Sequence, residues 1–147
     1  MKRFMVLGAA LMTLSSPAVL GHGNEHHAPA ARTSEAARVI RVEMTDQMRF
    51  SPSQVSVKRG ETVRFVVVNQ GAVMHEMVIG TMADLKDHAA HMKKNPDMKH
   101  AGANMAHVAP GQSGEIVWRF SKAGEVYFGC LIAGHFDAGM IGKVVVE

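Results

Sequence analysis

Only one cysteine occurs in the 147 residues, and it sits in a regular series. Cys130 opens the stretch CLIAGHFDAGM, in which His135 follows after four intervening residues and Met140 after four more. A thiolate, an imidazole and a thioether differ in softness. Together they suit a metal that alternates between a soft and a harder oxidation state. Copper does so between Cu(I) and Cu(II), and a trigonal His2Cys set with a long axial Met is its electron-transfer arrangement. The stretch supplies three of those four ligands. A second histidine must come from elsewhere, and His75, in NQGAVMHEMVIG, begins an apolar run directly after a glycine-containing loop. Each residue taken singly also has a plainer use, as a buried apolar thiol, a solvated loop imidazole or a core thioether. Their joint order is what favours a metal.

The elements that must hold these residues are short strands. RVIRVEM, from Arg38, alternates apolar and charged residues, as a half-buried strand does. Val55 and Val57 alternate before the turn KRGE, and residues 63–68 are nearly all β-branched. A further strand covers 74–79. GEIVWRF, EVYFGC and GKVVVE complete the set, with SKAG turning the chain between the first two. About seven short strands separated by turn signals predict an all-β fold, a Greek-key β-sandwich with antiparallel strands. Cys130 then ends one strand, Met140 precedes the last, and the start of the His75 strand lies at the same end.

Residues 81–107, TMADLKDHAAHMKKNPDMKHAGANMAH, break this pattern. Residues 83–94 are rich in helix formers, with Asp84 placed to cap or charge the start and Asn95-Pro96 to end it. The sequence therefore predicts a Met/His-rich, partly helical insertion, and connections this long are usually functional or unstructured. Met82, His88, His91, Met92, Met98, His100, Met105 and His107 all fall inside it, and Met74 and Met77 flank His75. On a helix His88, His91 and Met92 share a face. Met98 with His100 and Met105 with His107 repeat a Met-x-His spacing. Thioethers select Cu(I) and imidazoles accept either oxidation state. His88, His91, Met92, Met98, His100, Met105 and His107 are thus candidate ligands for additional copper, as are His22, His26 and His27 nearer the N-terminus. The alternative is packing, because Met is a common core filler and a helical His/Met face can simply cover the sandwich.

The N-terminal residues 1–21, with Lys2 and Arg3 before an apolar run and then small residues, read as a secretory signal peptide. Cleavage after Ala18 or after Gly21 satisfies the small-residue rule. The second choice makes His22 the N-terminus, whose amine and ring together chelate Cu(II). Export implies a periplasm if the source is Gram-negative. Residues 22–37 read as a disordered polar tail and 38–147 as one domain. No other segment is apolar for long enough to span a bilayer. The formal charge of +3 includes Lys2 and Arg3; without them 14 basic residues face 13 acidic ones. With no clustered Lys/Arg face, the charge gives no sign of a nucleic-acid partner. A single cysteine leaves no internal disulfide, so the core or a metal must hold the domain.

The ordered set His75, then Cys130-x4-His135-x4-Met140, then IGKVVVE resembles the cupredoxin family across 38–147 apart from the insertion. The resemblance implies one type 1 copper, with His75, Cys130 and His135 equatorial and Met140 axial. It also implies electron passage through the His135 edge to a periplasmic redox partner protein, across an apolar rim of Leu131, Ile132, Ala133, Phe136, Ala138 and Gly139. The second loop cysteine of a binuclear centre is absent, as are the further histidine motifs of multicopper oxidases and copper nitrite reductases. One position departs from the pattern. Many small cupredoxins carry Asn or Ser directly after the upstream His, where it braces the cysteine loop; here it is Glu76. MHEM, the Met/His-rich insertion and the His-containing tail resemble, more narrowly, periplasmic copper-tolerance cupredoxins. That implies copper handling with redox cycling at the His2CysMet site. The alternatives are a simple electron shuttle, a copper chaperone and a cuprous oxidase. A saturated His2CysMet site offers no open position, so the oxidase requires a second copper in the Met/His layer.

Overall fold

The computed structural model describes residues 37–96, 98 and 101–147. The expected signal peptide, nearly all of the 22–37 tail, and His22, His26, His27 and His100 lie outside the described residues. Among the described residues, nine strands and one helix follow in order: β1 (Arg38–Thr45), β2 (Arg49–Ser51), β3 (Gln54–Val57), β4 (Thr62–Asn69), β5 (His75–Gly80), α1 (Met82–Lys94), β6 (Met105–Val108), β7 (Ser113–Arg119), β8 (Gly124–Gly129) and β9 (Ile141–Val146). They form a sandwich of a four-stranded sheet, β2-β1-β4-β7, and a five-stranded sheet, β3-β9-β8-β5-β6. All seven expected strands are present, and β2 and β6 are additional. β6 takes residues 105–107 out of the insertion and into the sheet.

The sandwich is mixed rather than wholly antiparallel. β1 runs parallel to β4, and β3 parallel to β9. The reason is a change of sheet. After the β1–β2 hairpin the chain crosses to place β3 in the five-stranded sheet, then returns so that β4 lies beside β1 in the same direction.

Period-two burial makes the core, because alternate side chains of a strand point to opposite faces. On β4, Val63, Phe65 and Val67 are buried while their neighbours are half-exposed. They meet Met77, Ile79, Phe128 and Val144 from the other sheet in one apolar cluster. An edge-to-face ring pair, Phe50–Phe128 at 5.1 Å, joins the two layers, and a second, Phe65–Phe120 at 6.3 Å, packs within the four-stranded layer.

β5 is the exception to the alternation, with five successive residues buried. Its outer face is covered by α1, whose Leu85 and Ala89 form a second apolar cluster with Val78 and Leu131. The helix starts in a capping box: Thr81 Oγ1 accepts from the Asp84 N–H at 3.1 Å and Asp84 returns to the Thr81 N–H. Its end is closed by the Asn95 N–H on the His91 and Met92 carbonyls. Leu85, Ala89 and Met92 are the buried stripe. At about 100° per residue, His91 therefore turns away from that stripe and His88 lies at its margin. The helix does not present His88, His91 and Met92 as one exposed face: Met92 is core, His91 is exposed and His88 is half-buried.

Candidate metal centre

Four chain segments converge at one end of the sandwich. Asp46 follows β1, His75 opens β5, Cys130 follows β8 and Met140 precedes β9. His135 Nδ1 lies 3.3 Å and His75 Nδ1 4.0 Å from Cys130 Sγ. One ligand atom from each of His75, Cys130 and His135 lies within 4.8 Å of the others. The loop between Cys130 and Met140 is coiled on its own backbone. The Cys130 N–H donates to the Met140 carbonyl, and the Met140 N–H to that of His135, both at 3.1 Å. Arg49 ties the loop to β2 by donating to the Ala138 carbonyl at 3.2 Å. Met140 is wholly buried among the core residues.

His75 is oriented from behind. Its Nε2 lies 3.0 Å from Asp46 Oδ1, which leaves Nδ1 to face the sulfur. Asp46 also accepts from the Ala72 and Val73 N–H groups, and these bonds, the Ala72 bond foremost, hold its carboxyl below the usual carboxylate range. Buried Asn69 shapes the same loop, accepting from the Gly71 N–H and donating to the Val73 and Val108 carbonyls. Gly71 is required there, because a Cβ would overlap the Asp46 carboxylate.

Glu76 supplies the brace that Asn or Ser was expected to give. It is wholly buried. Its Oε1 accepts from the Leu131 N–H at 2.8 Å, and its own N–H approaches Cys130 Sγ at 3.4 Å. Its Oε2 lies 2.6 Å from His107 Nε2, without the alignment of a hydrogen bond.

Burial, above the other influences, pushes the Cys130 thiol up to about 12 and pulls His135 below the usual imidazole range. A neutral buried thiol beside a neutral imidazole lacks the cation that would make thiolate stable, and a bound metal supplies it. Bonds of about 2.0 Å to nitrogen and 2.3 Å to sulfur, set at trigonal angles, put the donors roughly 3.7 Å apart. The two S···N distances bracket that value, so the residues present fit a single copper.

Among the described residues, the remaining candidates fall on α1, on β6 and on the segment between them. Met105 and His107 lie on β6, opposite Val78 and Glu76. Met105 packs on the α1 cluster, and Met98 is exposed beyond the helix. Met77 is core and Met74 is exposed beside His75. Of the expected rim, Ala133, Ala138 and Gly139 are exposed, whereas Leu131 is buried beneath α1 and Phe136 and Ile132 are half-buried. Asp46, Arg49 and Asn69 had no signal in the sequence. Their contacts join distant segments through no recurring spacing.

A two-layer β fold that holds a buried thiol near two imidazoles, with a buried methionine closing the same loop, defines the class of small cupredoxins. The family model for copper binding proteins of the plastocyanin/azurin family matches residues 36–147, and the chain belongs to that family. It is 52% identical over 152 residues to the copper-resistant cuproprotein CopI of Rubrivivax gelatinosus, covering 95% of this chain and 92% of that one. It is 35% identical over 175 residues to the copper-resistant cuproprotein CopI of Pseudomonas aeruginosa, covering 97% and 93%. Among solved structures, the dithionite-reduced auracyanin of Roseiflexus castenholzii superposes with a TM-score of 0.65 at 20% identity, covering 76% of this chain and 98% of that one. That likeness is one of fold.

Proposed function

We propose that this chain is an exported, periplasmic protein that serves copper tolerance by cycling one type 1 copper at His75, Cys130, His135 and Met140. The observation that carries the reading is the buried Cys130 sulfur with the Nδ1 atoms of two histidines turned to it at 3.3 and 4.0 Å. Bound copper would supply one-electron chemistry. The chain's own part is to hold the donors in one geometry in both oxidation states, so that little rearrangement accompanies electron transfer. Asp46, Glu76 and the self-bonded 130–140 loop do this. Two relatives named as copper-resistant cuproproteins, each matched over most of its length, support the tolerance role.

A simple electron shuttle is the second reading. It is favoured by the half-exposed His135 among exposed Ala133, Ala138 and Gly139, with Val73 and Met74 exposed at the same end. That small apolar surface suits brief docking of a redox partner. The deciding experiment combines an anaerobic Cu(I) titration against a competing chelator with growth of a copper-sensitive host. Wild type should show an intense thiolate-to-copper band and restore growth on copper, and Cys130→Ser should do neither while remaining folded. Full rescue by Cys130→Ser would overturn the tolerance role of this site. A single copper per chain without any growth effect would move the assignment to the shuttle, and two or more coppers would bring the Met/His residues into the function.

A further inference from the structure

We propose that His107 is a positioning residue for the copper centre: it holds the buried Glu76 carboxylate, Glu76 holds the cysteine loop, and the pair sets the balance between the two copper oxidation states. This rests on the copper reading above. Glu76 grips the loop twice, through its N–H on Cys130 Sγ and through Oε1 on the Leu131 N–H. Its remaining oxygen lies 2.6 Å from His107 Nε2. The strand register imposes this contact, since Glu76 and His107 are directly paired across β5 and β6 and paired side chains rise on one face. Glu76 is wholly buried, whereas His107, on the edge strand, is 37% exposed. An outward-facing position is thereby linked to the metal loop through a single side chain.

A neutral side chain would brace the Leu131 peptide equally well. A carboxylate adds a charge beside the metal-binding sulfur, in surroundings where electrostatic effects are strengthened. Negative charge near the metal favours Cu(II) over Cu(I), and the imidazole offsets it. Removing His107 leaves a buried carboxylate without that compensation, which is costly.

The test compares reduction potentials and absorption spectra of copper-loaded Glu76→Gln, His107→Ala, His107→Gln and the Glu76→Gln/His107→Ala double variant. It adds hydrogen exchange at the Leu131 amide in the metal-free proteins. Glu76→Gln should keep Leu131 protected while favouring Cu(I) about tenfold more than wild type, an upward shift of about 59 mV for one electron. His107→Ala should shift the balance toward Cu(II) and weaken Leu131 protection, and its effect on potential should vanish in the Glu76→Gln background. If His107→Ala does not fold, His107→Gln should give a smaller shift of the same sign. Potentials unchanged in Glu76→Gln and His107→Ala, or a His107→Ala effect that persists undiminished in the double variant, would overturn the proposal. So would Leu131 protection that His107→Ala leaves intact. If wild type itself shows no thiolate-to-copper band, the copper reading fails, and Leu131 exchange still decides the Glu76–His107 link.

Discussion

His75 Nε2 lies 3.0 Å from Asp46 Oδ1, and this contact decides which ring nitrogen faces the cysteine. A carboxylate fixes the proton on Nε2, so the Nδ1 lone pair is left for the metal. Asp46 accepts two backbone N–H groups at the same time, so it sets both the tautomer of the ligand and the loop that delivers it. Asp46→Ala should lower copper affinity by about 10–100-fold, the usual cost of losing such an outer partner, while the visible band persists. Asp46→Asn should fall between, because its amide cannot accept from all three donors. Chelator competition measures both, and an unchanged affinity in Asp46→Ala would remove the orienting role.

The buried thiol makes copper uptake pH-dependent over an unusual range. A free thiol ionises near pH 8.5, above which metal no longer has to displace its proton. Cys130 keeps its proton up to about 12 because burial penalises the thiolate. Uptake at this residue therefore releases one proton throughout the alkaline range. The logarithm of the Cu(I) affinity should continue to rise by about one per pH unit from roughly pH 8 to 10, where an ordinary thiol would level off. At the acid end His135, held below the usual imidazole range by burial, should begin to compete only below that range. A plateau near pH 8.5 would show that the thiol is not shielded.

Leu85 connects the helical insertion to the metal loop. It is almost wholly buried and packs with Val78, Ala89 and Leu131, the residue whose amide Glu76 holds. Leu85→Ala leaves a cavity under α1 and should destabilise the metal-free protein by about 2–5 kcal/mol. Urea unfolding checks this. The visible band of the loaded protein should remain, since none of the four proposed ligands is touched. A cost within about 0.5 kcal/mol, typical of a surface site, would mean that α1 does not hold its place on the sheet.

Much of this arrangement is legible in the sequence because it rests on short-range pattern. Val63, Phe65 and Val67 alternate on β4, and Cys130, His135 and Met140 lie on one loop, so neither strand nor loop needs tertiary information. What was hidden depends on contact between distant segments. β6 is four residues of MAHV within a Met/His-rich run, without a β-branched stretch to mark it, and only pairing with β5 makes it a strand. The parallel pairs follow from a change of sheet that local pattern does not encode. Met92 has the spacing of a ligand with His88, yet the stripe of Leu85 and Ala89 takes it into the core. Asp46 reaches His75 from another strand end, and nothing in its neighbours marks it.

Met140 gives the sharpest separation of roles within the site. It is wholly buried, and its backbone is bonded to both Cys130 and His135, so its side chain can be changed while the loop keeps its shape. Leucine nearly conserves its volume, and such swaps usually cost less than about 1.5 kcal/mol. Met140→Leu should therefore fold and keep its colour, because the thiolate and the two imidazoles that generate the band remain. On the proposed assignment it loses the thioether, a weak axial donor of the kind that helps to stabilise Cu(II) and tunes the potential. Cu(I) is then relatively favoured, and the reduction potential should rise. Voltammetry of the loaded protein measures the shift. A potential equal to wild type would show that the Met140 sulfur is not a copper ligand, and that its place in the loop is due to core packing.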